Sequence, residues 1–177
     1  MLGSCFKKQD MTPPHAVQFY NDDVFLIDTV SAFMTAGLKE NGAMIVIATA
    51  QHCEELRNTL QAASTSSITY IDAVELLSTF MVDDWPNETR FISTVGPLLQ
   101  RAALKNPVRI FGEMAAMLWA EGKTRAAIRL EEMGNELASQ YAFSLLCAYP
   151  MSGFPDQKNN LSFLQVCRAH THVHPAQ

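Results

Sequence analysis

Residues 44–49 read Met-Ile-Val-Ile-Ala-Thr, a run with no charge and no polar-apolar alternation. A strand with one face in water alternates. A run that is apolar on both faces marks a strand covered on both sides, as in a parallel sheet between helices. The flanks fit that reading. Before the run, Phe25, Leu26, Val30, Phe33, Met34 and Leu38 recur at helical spacing behind Asp22 and Asp23, which suit a helix start, and Gly42 is expected to end that helix. After it, residues 51–62 read as a second helix.

The same alternation extends in both directions. Residues 15–20 (HAVQFY), 68–71 (ITYI), 108–111 (VRIF) and 143–148 (FSLLCA) read as strands. Helical patterns cover residues 72–80, 89–105, 114–121, 123–140 and 161–170, and Asp83-Asp84-Trp85-Pro86 breaks the pattern as a turn. The alternation predicts an α/β fold, a mostly parallel central sheet with helices on both faces. Residues 1–13 read as a mobile lead-in and residues 14–177 as one domain, in keeping with a chain of 177 residues.

Composition narrows the function. With 48% apolar and 18% charged residues the chain has the material for a core and is no polyelectrolyte. The net charge of −5 comes with no basic patch, so direct nucleic-acid or anionic-membrane binding is not expected. The positive charges between Lys123 and Arg129 sit beside Glu121, Glu131 and Glu132 and read as a solvated helix face. No stretch suits a membrane span or a secretion signal, which predicts a cytoplasmic protein. Cys5, Cys53, Cys147 and Cys167 form no CxxC and read as free thiols, Cys147 as a small core residue.

In open parallel sheets ligands bind beyond the carboxyl ends of the strands. That places Tyr20, Thr49, His52, Asp72, Glu113 and Tyr149 among the candidate ligand-binding residues, with His15 at the start of the first strand. Trp85 and Trp119, with Tyr20 and Tyr149, are candidates to line an apolar pocket. The first strand-to-helix turn, Tyr20-Asn21-Asp22-Asp23-Val24, has no glycines and no lysine, and its carboxylates would repel a triphosphate. GxGxxG and GxSxG are absent, so no catalytic residues and no cofactor are expected. Glu113 follows an apolar strand and a glycine, where a carboxylate is costly unless paired. Two readings stand: a cap or a partner of Arg109 or Arg129, or a ligand-site residue. Cys167, His170, His172 and His174 are donors suited to zinc in type, but helical and extended spacing conflict, so an exposed histidine tail is expected and no metal.

Six segments together resemble one family: HAVQFYNDD, GLKENGAMIVIATAQH, YIDAVELLSTFMVDDWP, RIFGEMAAMLW, LLCAYPM and VCRAHTHVHP. They look like the MEDS domain of methanogen and methylotroph sensory proteins, over about residues 14–175. His15, Tyr20 and Asp23 match its first motif, Thr49 and His52 the second, and Asp72 and Trp85 the third. Gly112, Glu113 and Met114 match the next, then Cys147, Tyr149 and Pro150, and finally His170, His172 and Pro175. The resemblance implies a RecA/KaiC-like fold without a P-loop, and a non-catalytic sensor of small, hydrocarbon-derived ligands. It also implies a signalling partner in trans, a histidine kinase, an anti-sigma-type kinase or a transcription regulator, and leaves room for a homo-oligomer. Two other classes stay open: an enzyme using Glu113 with a nearby His or Asp as acid–base pair, and a pure protein-interaction module.

Overall fold

The computed structural model describes residues 14–61, 67–105, 107–154 and 161–176. The expected mobile lead-in, with Cys5, lies outside the described residues. The elements run β1 (His15–Tyr20), α1 (Asp23–Lys39), β2 (Ala43–Ala48), α2 (Ala50–Thr59), β3 (Ile68–Asp72), α3 (Ala73–Phe80), β4 (Met81–Val82), β5 (Trp85–Pro86), α4 (Glu88–Ala102), β6 (Val108–Gly112), α5 (Met114–Ala120), α6 (Thr124–Ala138), β7 (Ser144–Pro150), α7 (Leu161–Ala169) and β8 (His172–His174).

Six strands form one sheet in the order β3-β2-β6-β7-β1-β8, and every neighbouring pair is parallel. Because side chains alternate along a strand, each strand feeds two cores. Met44, Val46 and Ala48 of β2, with Phe111, Leu146 and Ala148, pack under α1 and α2. Ile45 and Ile47, with Ile110, Cys147 and Tyr149, face α3 to α7. The register keeps the layers aligned: Ile45 pairs with Ile110 and Val46 with Phe111. The apolar run that decides the fold is therefore buried on both faces.

Three expectations change in detail. Helix α1 ends through Asn41, whose φ of 59° is left-handed. Gly42 is needed instead because a Cβ there would collide with the Pro107 carbonyl. The Asp83-Asp84 turn is a hairpin closing β4 on β5, with both aspartates left-handed (φ 48° and 62°), as a type I′ turn requires. The histidine tail is a sixth strand. Ala16 pairs with His172 and Gln18 with His174, and the Gln18 side-chain amide donates to the Pro175 carbonyl at 3.0 Å. Backbone pairing, rather than apolar burial, holds β8, since all three of its residues are exposed. Among the described residues no helix is long and apolar enough to cross a membrane.

Candidate functional site

At the carboxyl ends of β2 and β6 the chain builds a polar latch. Thr49 caps α2, its hydroxyl accepting the His52 N–H at 3.3 Å. That cap turns the His52 ring toward Glu113, at the start of α5. The Glu113 carboxylate is buried and both oxygens are used: Oε1 accepts from His52 Nδ1 at 2.5 Å and Oε2 from the Thr49 N–H at 2.9 Å. His52 Nε2 lies 3.7 Å from Asp23, which is half exposed. The hydrogen bond to Glu113 raises the His52 pKa above its ordinary value despite partial burial. Tyr20 stands close by, its phenol pushed upward by burial and by the charges of Glu113 and Asp23.

The expected arginine partners of Glu113 are elsewhere. Arg109 binds Glu40 and the Phe33 carbonyl, and Arg129 binds Glu88, Glu132 and Glu136. Asp72 caps α3, accepting from the Val74 and Glu75 amides. The β1–α1 turn is self-capped, with Asp22 accepting the Phe25 N–H at 2.9 Å.

A second constellation lies inside the α3-to-α7 layer. His15, Glu131, Cys147 and His170 are all buried, and one donor atom from each falls within 4.8 Å of all the others. Glu131 Oε2 is 3.3 Å from His15 Nε2, 3.3 Å from the Cys147 sulfur and 3.4 Å from His170 Nε2. Its other oxygen accepts from the Tyr149 hydroxyl at 2.6 Å. Burial alone would raise the Glu131 pKa, but the histidine interactions outweigh it and hold the carboxyl well below its usual range. Burial and the Glu131 charge push the Cys147 thiol and the Tyr149 phenol far up. Burial tends to lower the His170 pKa, and Glu131 reverses this to a net rise.

Glu131 and Cys147 also face a cavity of about 70 Å³ between the sheet and helices α4 and α6. Its other walls are apolar, including Phe91, Val95, Leu99, Leu130 and Phe143. A space that size exceeds the ~10–15 Å³ that one water needs.

The structure thus divides the residues singled out in the sequence. Tyr20, Thr49, His52 and Glu113 meet at the strand ends, while His15 and Tyr149 belong to the inner constellation. The expected aromatic pocket does not form as a unit. Trp119 packs edge-on to Tyr149 and stacks near Phe154, its indole N–H donating to the Gly153 carbonyl. Tyr20 lies in the core on the opposite face of the sheet, and Trp85 is 45% exposed on the hairpin. The four donors weighed in the sequence, Cys167, His170, His172 and His174, do not converge either. His172 and His174 are exposed on β8 and Cys167 is half buried, whereas His170 turns inward to Glu131.

The residue that sequence reasoning misses is Glu131, grouped there with a solvated face yet 2% exposed. The available signal was its position. It falls four residues after Ala127 and three before Gly134, on the stripe of α6 that also carries Leu130 and Leu137. Asn135, one turn on, completes the surroundings, its side-chain oxygen accepting from His15 Nδ1 at 2.9 Å.

A model of the family described as "MEthanogen/methylotroph, DcmR Sensory domain" matches residues 14–171, nearly the whole chain. The chain belongs to the MEDS family. Both constellations fall within the matched span, from His15 to His170. A MEDS domain is a sensory-type domain, and the α/β sheet found here is the frame that presents its polar groups. No curated protein matches the chain.

Proposed function

We propose that this MEDS domain senses a small, largely apolar molecule held in the cavity under Glu131 and Cys147, and relays its occupancy to a signalling protein in trans. The observation that carries the reading is the cavity itself: apolar walls from α4, α6 and the sheet, with the Glu131 carboxylate and the Cys147 thiol, 3.3 Å apart, in its lining. Such a site favours a compact molecule of a few heavy atoms with a single polar or polarisable group. Hydrocarbon derivatives such as one-carbon halides fit that chemistry, and the sensory character of the family supports it.

The His52–Glu113 pair offers an acid–base reading, but both Glu113 oxygens already hold hydrogen bonds across the β2–α2 and β6–α5 turns. We assign that pair to joining the two turns rather than to catalysis.

The test is ligand-dependent stability. Dichloromethane, short alcohols and methylated amines are titrated while the melting temperature is followed. A molecule that binds the folded state at 100 times its Kd adds about 2.7 kcal/mol. Val95→Phe, which fills the cavity, should fold and lose the response. A wild-type protein indifferent to every small apolar probe, or a Val95→Phe variant that responds equally, would remove this site from the reading.

A further inference from the structure

We propose that His15, Glu131, Cys147 and His170 bind one divalent transition-metal ion of the zinc class, in a closed, tetrahedral site. The inference shares Glu131 and Cys147 with the cavity but does not rest on the apolar ligand, and metal content is measured without one. It rests on four donors brought from four places in the chain: the start of β1, the middle of α6, the middle of β7 and the residue after α7.

Distances come first. Zinc bonds of about 2.0–2.1 Å to nitrogen and oxygen and about 2.3 Å to sulfur give a tetrahedron with edges of roughly 3.3–3.6 Å. Four of the six edges here are 3.3 Å (His15 to Glu131), 3.4 Å (His15 to Cys147), 3.3 Å (Cys147 to Glu131) and 3.4 Å (His170 to Glu131). Four of the six edges already have the length an ion would impose, and the remaining two, from His170 to His15 and to Cys147, lie within 4.8 Å.

Proton accounting comes second. His170 Nδ1 faces the Val166 carbonyl at 2.7 Å and must donate to it. The Asn135 side-chain amide donates to the Ala169 carbonyl, which turns its oxygen toward His15 Nδ1 and makes that nitrogen a donor as well. In each neutral ring Nε2 then carries a lone pair aimed inward. Two lone pairs, a carboxylate oxygen and a sulfur face one another with a single thiol proton among them. His170 Nε2 is buried and has no hydrogen-bond partner, although Glu131 is within reach. A cation at the centre satisfies all four at once. Outer partners of this kind, Asn135, the Val166 carbonyl and Tyr149 on Glu131, are what metal-bound histidines and carboxylates require.

Charge comes third. A divalent ion with one carboxylate, one thiolate and two neutral imidazoles sums to zero. Two imidazolium rings around one carboxylate would leave a net charge in the core, which is costly. The set of two nitrogens, one oxygen and one sulfur suits zinc, or cobalt as its spectroscopic stand-in.

The experiment uses the untagged full chain, stripped with a chelator, loaded with zinc and desalted. Elemental analysis should find about one equivalent of zinc, as a four-ligand structural site holds. Cobalt loading should give the intense visible bands of tetrahedral cobalt and a thiolate-to-cobalt charge-transfer band. Cys147→Ser should abolish that charge-transfer band, and Asn135→Ala should weaken zinc affinity about 10–100-fold. A His172→Ala/His174→Ala double variant should keep its metal. Well under one equivalent after loading, octahedral cobalt spectra, or loss of metal in the double variant would each overturn the site. The zinc content and cobalt spectra of the wild type test the site without any variant, and a melting curve of the double variant shows that it is folded.

Discussion

Two glutamates sit buried in this domain, and their neighbours give them different work. Glu131 faces sulfur and two imidazoles, whereas Glu113 is consumed by one backbone amide and one imidazole. Replacing Glu113 by Gln leaves one acceptor and introduces an NH₂ that must face a donor, at a cost of about 1–3 kcal/mol. The cost should depend on pH. The folded-state pKa of His52 is raised, so its charged form contributes stability that is full below about 6.5 and fades as pH rises through the folded value. The stability gap between wild type and Glu113→Gln should thus be widest near pH 6 and narrow above it. Urea titrations across pH 6 to 9 measure this; a gap that widens with pH would contradict the latch. Glu113 was legible in the sequence because a carboxylate after an apolar strand demands a partner. Its partner was not, because His52 lies 61 residues away and only the Thr49 cap brings the ring round. Glu131 was hidden by company, lying between Arg129 and Glu132, which are ordinary surface charges.

At the scale of elements, legibility followed burial. Strands β2, β6 and β7 are short apolar runs because helices cover both their faces, and their shortness separates them from buried helices. The hairpin β4–β5 and the edge strand β8 are two and three residues long, and their pairing lies in the backbone, which leaves no periodic trace. The β1–α1 turn shows the opposite case, where side-chain chemistry is decisive. A phosphate-binding turn offers free helix amides, while here the Asp22 carboxylate takes the Phe25 amide and puts a negative charge where a phosphate would sit. Calorimetric titration with Mg-ATP should therefore give no binding heat. Asp22→Ala should lower stability by about 0.5–2 kcal/mol through loss of the cap, again without creating ATP affinity. Micromolar ATP binding by the wild type, lost on changing this turn, would refute the assignment.

Across the whole molecule, the first and last strands are neighbours. The β1 backbone pairs with β7 on one side and β8 on the other, so the N-terminal strand depends on the C-terminal segment for one edge. Thr171 ties this junction: its N–H and hydroxyl both donate to the His15 carbonyl, and its hydroxyl oxygen accepts the His15 N–H at 3.0 Å. His170, just before it, fills the space against the His15 ring, with centroids 4.2 Å apart. A chain ending at Ala169 would lose the buried imidazole, these hydrogen bonds and the β8 ladder together. It would also leave Glu131 with one histidine fewer. Losing a single buried charge partner costs about 3–5 kcal/mol, a large part of the 5–15 kcal/mol that holds a typical domain. We expect such a truncation to melt far below the full chain, and amide exchange to rise first along β1. A truncation beginning after Pro175, which spares His170, Thr171 and β8, should melt like the full chain. Equal melting of the 169-residue chain and the full chain would mean that the C-terminal strand merely rests on the sheet and that the inner constellation does not need His170.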